Sequence, residues 1–172
     1  MSQGLNIRRM TLTALMAALI LVLTRAVQIA TPARGYIHLG DAGVFFAALA
    51  FGPWVGAVAG GLGTALADVT SGYAQWALFS LLVHGLQGWA IGMLVRKQRG
   101  ALQLTLTVIA SMLIVAGGYF LAGILLVGMG NAIAEIVPNL IQGFSGGLLG
   151  IPLYLAVKRA YPPLVQYTRN AA

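Results

Sequence analysis

The chain contains no cysteine, which excludes disulfides and thiolate metal centres. It also contains little charge. Asp and Glu together number three, and charged residues make up 8% of its 172 positions. A water-soluble domain carries about 25%. With 59% hydrophobic residues and a mean hydropathy of +0.89, the polar groups are too few for a body in water. Lipid is the expected solvent for most of the surface. No GxxxxGK[ST] phosphate loop and no HxxxH or HExxH metal spacing occurs.

What is abundant is apolar sequence in runs, with basic residues at their ends. The net charge is +7. That excess could suggest nucleic acid, but its placement is the one membrane topology requires. The first run follows Arg8 and Arg9 as a signal peptide would. Arg25 and Pro32 suit a cleavage region poorly, and the downstream sequence is equally apolar, so a retained first span is expected. A membrane helix needs about 20 mainly apolar residues, and buried or broken ones can be shorter. The expected spans are 8–29, 41–52, 54–70, 75–95, 102–128 and 132–158. The second and third could instead form one re-entrant element. Gly117 and Gly118 mark a candidate bend in the fifth, and Pro138 and Pro152 interrupt the sixth. The length suits a single membrane domain covering 1–172. The fold class is all-α, an integral membrane bundle of six transmembrane helices.

Six spans put both termini on one side. That side then holds Arg8, Arg9, Arg96, Lys97, Arg99, Lys158, Arg159 and Arg169, leaving Arg25 and Arg34 opposite. The positive-inside rule makes the richer side cytoplasmic. All three acids, Asp41, Asp68 and Glu135, then fall near the outer mouth. Their neighbours are patterned. Trp76, Ser80, His84 and Gln87 share one helix face, as do Glu135, Asn139 and Gln142, and as do Thr64 and Asp68. Polar groups facing lipid are costly, so these stripes turn inward, either to an outward-opening cavity or to hydrogen bonds between helices. Tyr36, His38, Tyr73 and Trp76 add aromatic and imidazole groups at the same mouth. Trp54 and Trp89 read as interface anchors.

Small residues form a second pattern. Gly56 with Gly60, Gly88 with Gly92, and Gly143 with Gly147 are GxxxG pairs, and the first helix carries Ala14 and Ala18 four apart. Such pairs let backbones approach closely in lipid.

The segment GYIHLGDAGVFFAALAFGPWVGAVAGGLGTALADVTSGYAQW, with the preceding LTALMAAL and the later LLVHGLQGWAIG, resembles the S component of an energy-coupling factor (ECF) vitamin transporter. The similar branch is the riboflavin-type one, which also serves hydroxymethylpyrimidine and pyridoxine-like precursors. The resemblance covers nearly the whole chain and is strongest over 35–95. It implies a six-helix bundle in the prokaryotic plasma membrane with cytoplasmic termini. It implies one small vitamin in an outward pocket capped by the loops after the first and third helices. It also implies docking on a membrane scaffold subunit that carries two ATP-binding cassette ATPases. The family's AxxxA docking signature maps to Ala14 and Ala18. The cobalt and nickel branch begins Met-His, whereas this chain begins Met1-Ser2-Gln3, so no metal substrate is expected.

The expected substrate-binding set is Tyr36, His38, Asp41, Asp68, Tyr73, Trp76, Ser80, His84, Gln87, Glu135 and Asn139. Asp41 is either a ligand or a helix cap, since an acid in GDA at a helix start suits the dipole. His84 is either a ligand contact or an interhelical bond. No cofactor, metal ion or nucleic acid is expected. Acids, His and Gln beside aromatics suit a neutral or weakly basic nitrogen heterocycle: pyridoxine, hydroxymethylpyrimidine or riboflavin. A flavin needs more room, which favours the smaller rings. Two other classes are weaker. A stand-alone secondary carrier often has repeated halves, and none is visible. An intramembrane enzyme would want paired acids, a Ser–His pair or a metal cluster. His38, Asp41, His84 and Glu135 could be assembled into one, but without ligand spacing.

Overall fold

Hydrocarbon offers no partner to a peptide group, so a chain in lipid closes its backbone hydrogen bonds within helices. The computed structural model describes residues 7–31, 35–97 and 100–163, and follows that rule. Helix α1 (Ile7–Ala26) leads into a small antiparallel hairpin, β1 (Gln28–Ala30) with β2 (Tyr36–His38). Then come α2 (Gly40–Phe51), α3 (Pro53–Ser71), a 3₁₀ turn (Ala74–Trp76), α4 (Ala77–Leu94), α5 (Ala101–Leu126), α6 (Met129–Ala134) and α7 (Ile136–Ala160). The class is all-α. Among the described residues four stretches are long and apolar enough to cross a membrane: Ile7–Ala26, Ala74–Leu94, Ala101–Leu126 and Met129–Ala160. Arg34, Arg99 and Arg169 of the charge pattern lie outside the described residues.

Polarity is arranged inside out. Leu78, Leu82, Leu113, Leu121 and Leu125 are exposed, whereas Asp41, His84, Gln87, Thr107 and Ser111 are fully buried. That is the arrangement expected when the outer solvent is hydrocarbon.

α2 is the centre. At 12 residues it is about 18 Å long, short of a bilayer's ~30 Å. All of its residues are buried, wrapped by α1, α3, α4 and α7, so its ends meet protein rather than lipid. The second and third expected spans are therefore separate helices. Gly52 divides them with φ 89°, a conformation that L side chains rarely adopt. Pro53 then opens α3 at its first turn, where no backbone donor is needed.

The sixth expected span is two helices. Pro138 sits in the first turn of α7, and its ring would clash with the carbonyl of Ala134, four residues back, if one helix ran through. The break places Glu135 at the junction. Pro152 stands inside an unbroken α7, and α5 runs through Gly117 and Gly118.

The pairs Gly56 with Gly60 and Gly88 with Gly92 bring α3 against α4. A Cβ on Gly56 would come within 2.8 Å of the Gly88 carbonyl oxygen, and one on Gly60 within 2.8 Å of that of His84. A Cβ on Gly88 would collide with the Gly56 carbonyl group. Gly88→Leu is therefore expected to push the helices apart and cost about 1–3 kcal/mol, read as a lower thermal midpoint in detergent. Gly117→Ala, at a position inside α5 with open space around it, is the control expected not to lower the midpoint.

Candidate functional site

α3 ends at Gly72, which takes a left-handed conformation with φ 85° and turns the chain. Its N–H and that of Tyr73 both bond back to the Asp68 carbonyl. Asp68 thereby stands in the last turn of the helix with its side chain at one end of the bundle. The 3₁₀ turn that follows brings Trp76 in, and α4 carries Ser80 one turn deeper. Tyr119 enters from α5, Glu135 and Asn139 from the α6–α7 junction, and Gly35, Tyr36 and His38 from the hairpin. These nine residues line a cavity with about 410 Å³ of empty space, part of it open to solvent.

The hairpin lies across this cavity and is fastened on three sides. Tyr36 donates its hydroxyl hydrogen to Asp68 Oδ1 at 2.5 Å. Thr31 Oγ1 donates to Glu135 Oε1 at 2.5 Å, and the His38 N–H donates to Gln142 Oε1 at 3.0 Å. At its foot Arg25 reaches the Thr70 carbonyl at 3.0 Å and Ser71 Oγ at 2.6 Å, and Gln28 reaches Ser71 Oγ at 3.0 Å. Burial, with the Asp68 hydrogen bond and charge adding to it, pushes the Tyr36 phenol well above its usual range. It therefore stays a donor. Burial holds the His38 imidazole well below its usual range, so that ring is neutral. His38 Nδ1 accepts the Gly40 N–H at 3.1 Å, which leaves the ring proton on Nε2.

Beneath the cavity lies a second polar layer. Asp41 is in the first turn of α2, but Leu39 is the cap residue and no side-chain cap bond forms. The Asp41 carboxylate turns instead into the core. Its Oδ2 accepts from Gln87 Nε2 at 3.0 Å, and its Oδ1 lies 3.2 Å from His84 Nδ1. Gln87 also donates to Ser111 Oγ at 2.8 Å, which donates on to the Gly143 carbonyl at 3.1 Å. A Cβ at position 146 would meet the Asp41 Cβ at 2.5 Å, so Gly146 of α7 gives this carboxylate its space.

The sequence-derived residues thus divide. Tyr36, His38, Asp68, Trp76, Ser80, Glu135 and Asn139 line the cavity. Asp41, His84 and Gln87 form the layer below it. Tyr73 does not line the cavity; it packs against the Tyr36 ring at 4.8 Å between centroids. Tyr119 was not foreseen. Its signal is the spacing of Thr107, Ser111, Val115 and Tyr119 on α5, four apart in each step, with the first three fully buried. Trp54 and Trp89 are exposed on helix surfaces, as are Ala14 and Ala18 on α1.

Two features bear on what the site can hold. His38, Asp41 and His84 offer ligand atoms within 4.8 Å of one another. Their protons oppose an ion, because His38 Nδ1 already accepts from Gly40 and presents Nε2–H inward. The second feature is Asp68. It is 4% exposed, and its Oδ2 has no hydrogen-bond partner. Ser80 is a side-chain donor that acts on Asp68, and its Oγ is engaged with the Tyr119 hydroxyl at 2.6 Å. A buried carboxylate oxygen without a donor is costly unless a bound molecule supplies one.

Residues 4–159 match the family model described as the ECF-type riboflavin transporter, S component. The thiamine precursor transporter HmpT of Lactococcus lactis subsp. cremoris (strain MG1363) is 35% identical over 156 residues, which is 90% of this chain and 90% of that protein. An uncharacterized protein of Pyrococcus woesei is 35% identical over 146 residues, 84% of this chain and 98% of that protein. The chain belongs to the ECF-type riboflavin transporter S component family and is a multi-pass membrane protein.

Proposed function

We propose that this S component captures a vitamin precursor with one nitrogen-containing ring, of the hydroxymethylpyrimidine kind, in the hairpin-covered cavity. The observation that carries the reading is the orphaned Asp68 Oδ2, a buried acceptor on the cavity wall. Glu135, Asn139 and Ser80 add further polar atoms, and Trp76 and Tyr119 supply the aromatic walls that small-ligand sites use. The enclosed part of the cavity is small, which suits one ring with small substituents better than a tricyclic flavin with its ribityl chain. A relative described as a thiamine precursor transporter supports the same class.

The chain performs no chemistry on the ligand and has no ATPase of its own. With cytoplasmic termini, the cavity faces outward, and delivery runs through a scaffold subunit bound to two ATP-binding cassette ATPases. α1 is the docking helix, through Ala14 and Ala18, which are exposed on its surface.

Affinity purification of the tagged chain from its native membrane tests this. A scaffold subunit and ATPases are expected in the eluate, and a single-ring heterocycle is expected by mass spectrometry of the denatured sample. Turnover of a substrate by the isolated chain, or transport by it alone in vesicles, would refute the reading.

A further inference from the structure

The protons of the buried layer can be placed one by one. Gln87 Nε2 faces both the Asp41 carboxylate at 3.0 Å and Ser111 Oγ at 2.8 Å, which uses both of its hydrogens and fixes the amide orientation. Gln87 Oε1 is then an acceptor, and it lies 2.8 Å from His84 Nδ1. Asp41 Oδ1, another acceptor, lies 3.2 Å from the same nitrogen. His84 Nδ1 must therefore carry hydrogen. With one proton on the imidazole, Nε2 accepts, and the Tyr119 hydroxyl at 3.1 Å donates to it. Tyr119 has no second hydrogen, so the contact of 2.6 Å to Ser80 Oγ is made by the Ser80 hydrogen. Nothing is left for Asp68 Oδ2. The hydrogens of Ser80, Tyr119 and His84 run one after another toward Gln87 and Asp41.

We infer that, with the His84 ring neutral, the buried chain Ser80–Tyr119–His84–Gln87–Asp41 fixes the Asp68 side of the cavity as hydrogen-bond accepting and so selects ligands that present an N–H or O–H donor there. An aromatic amine is accepted and its carbonyl isostere, which would set oxygen against oxygen, is rejected. The inference rests on reading the cavity as the vitamin-precursor site. It adds a specificity role for Tyr119 and His84.

The test uses 4-amino-5-hydroxymethyl-2-methylpyrimidine and its 4-oxo counterpart, titrated into the detergent-purified full chain and into two variants. The wild-type chain is expected to prefer the amino compound by about 100-fold. Tyr119→Phe removes the acceptor that holds the Ser80 hydrogen, which can then turn to Asp68. The amino preference should fall by about tenfold or more. Adding Ser80→Ala to Tyr119→Phe removes that hydrogen again and should restore the preference. A purely structural role would lower both affinities together and leave their ratio unchanged. Equal wild-type affinity for the two pyrimidines, an unchanged ratio in Tyr119→Phe, or no restoration in the double variant overturns the inference alone. Binding of neither pyrimidine overturns both the inference and the substrate reading beneath it.

Discussion

Asp68→Asn is expected to weaken binding of the vitamin precursor about 10- to 100-fold, the loss of one buried charge-assisted hydrogen bond of about 1.5–3 kcal/mol. The amide keeps an oxygen for the Tyr36 hydroxyl, so the hairpin stays fastened. Its nitrogen now points at the ligand's own donor, where Oδ2 has no protein partner. Glu135→Gln should have a loss of the same order, since Glu135 also lines the cavity and its Thr31 contact survives in the amide. Both variants should melt as the wild type does in detergent. Isothermal titration calorimetry is the measurement, and unchanged affinity in both would remove these acids from the site.

Ala14→Trp or Ala18→Trp is expected to abolish ATP-dependent uptake while leaving ligand affinity unchanged. Both residues are exposed on α1, whereas Ala17 and Ile20 of the same helix are buried against its neighbours. An indole at either exposed position adds no clash inside the bundle. It would hold a partner helix away and remove the close packing that drives association in lipid. The cavity is lined from α3, α4, α5, the hairpin and the α6–α7 junction, and α1 contributes nothing to it. Affinity measured on the isolated chain, and uptake measured in vesicles with scaffold and ATPases present, separate the two effects. Uptake that persists, or affinity that falls with it, would make the patch ordinary packing.

The all-α class was legible because lipid imposes one rule on backbone and one on side chains, and both leave traces in composition. The three polar stripes were legible for the same reason: Ser80, His84 and Gln87 recur at helical spacing in an apolar run, and all three are buried. The hairpin was not. Its strands are three residues each and are held by tethers to Asp68, Glu135 and Gln142 that no local pattern announces. Asp41 as either ligand or cap was undecided because a GDA start fits both. The structure gives it a third part, as the acceptor on which Gln87 and His84 converge, and only the packing of α2 beneath α4 and α7 brings that about. Tyr119 was hidden beside Phe120 in a helix whose polar stripe is broken by Val115.

The central claim is that the isolated chain binds a single-ring vitamin precursor in the cavity beneath the hairpin. Equilibrium titration of the purified chain, without scaffold or ATPases, against hydroxymethylpyrimidine and riboflavin in parallel tests it most directly. The expected result is one-to-one binding of hydroxymethylpyrimidine, weakened in Asp68→Asn, with riboflavin bound far more weakly. Tight binding of riboflavin with none of the pyrimidine, or pyrimidine binding that is indifferent to Asp68→Asn, would contradict it.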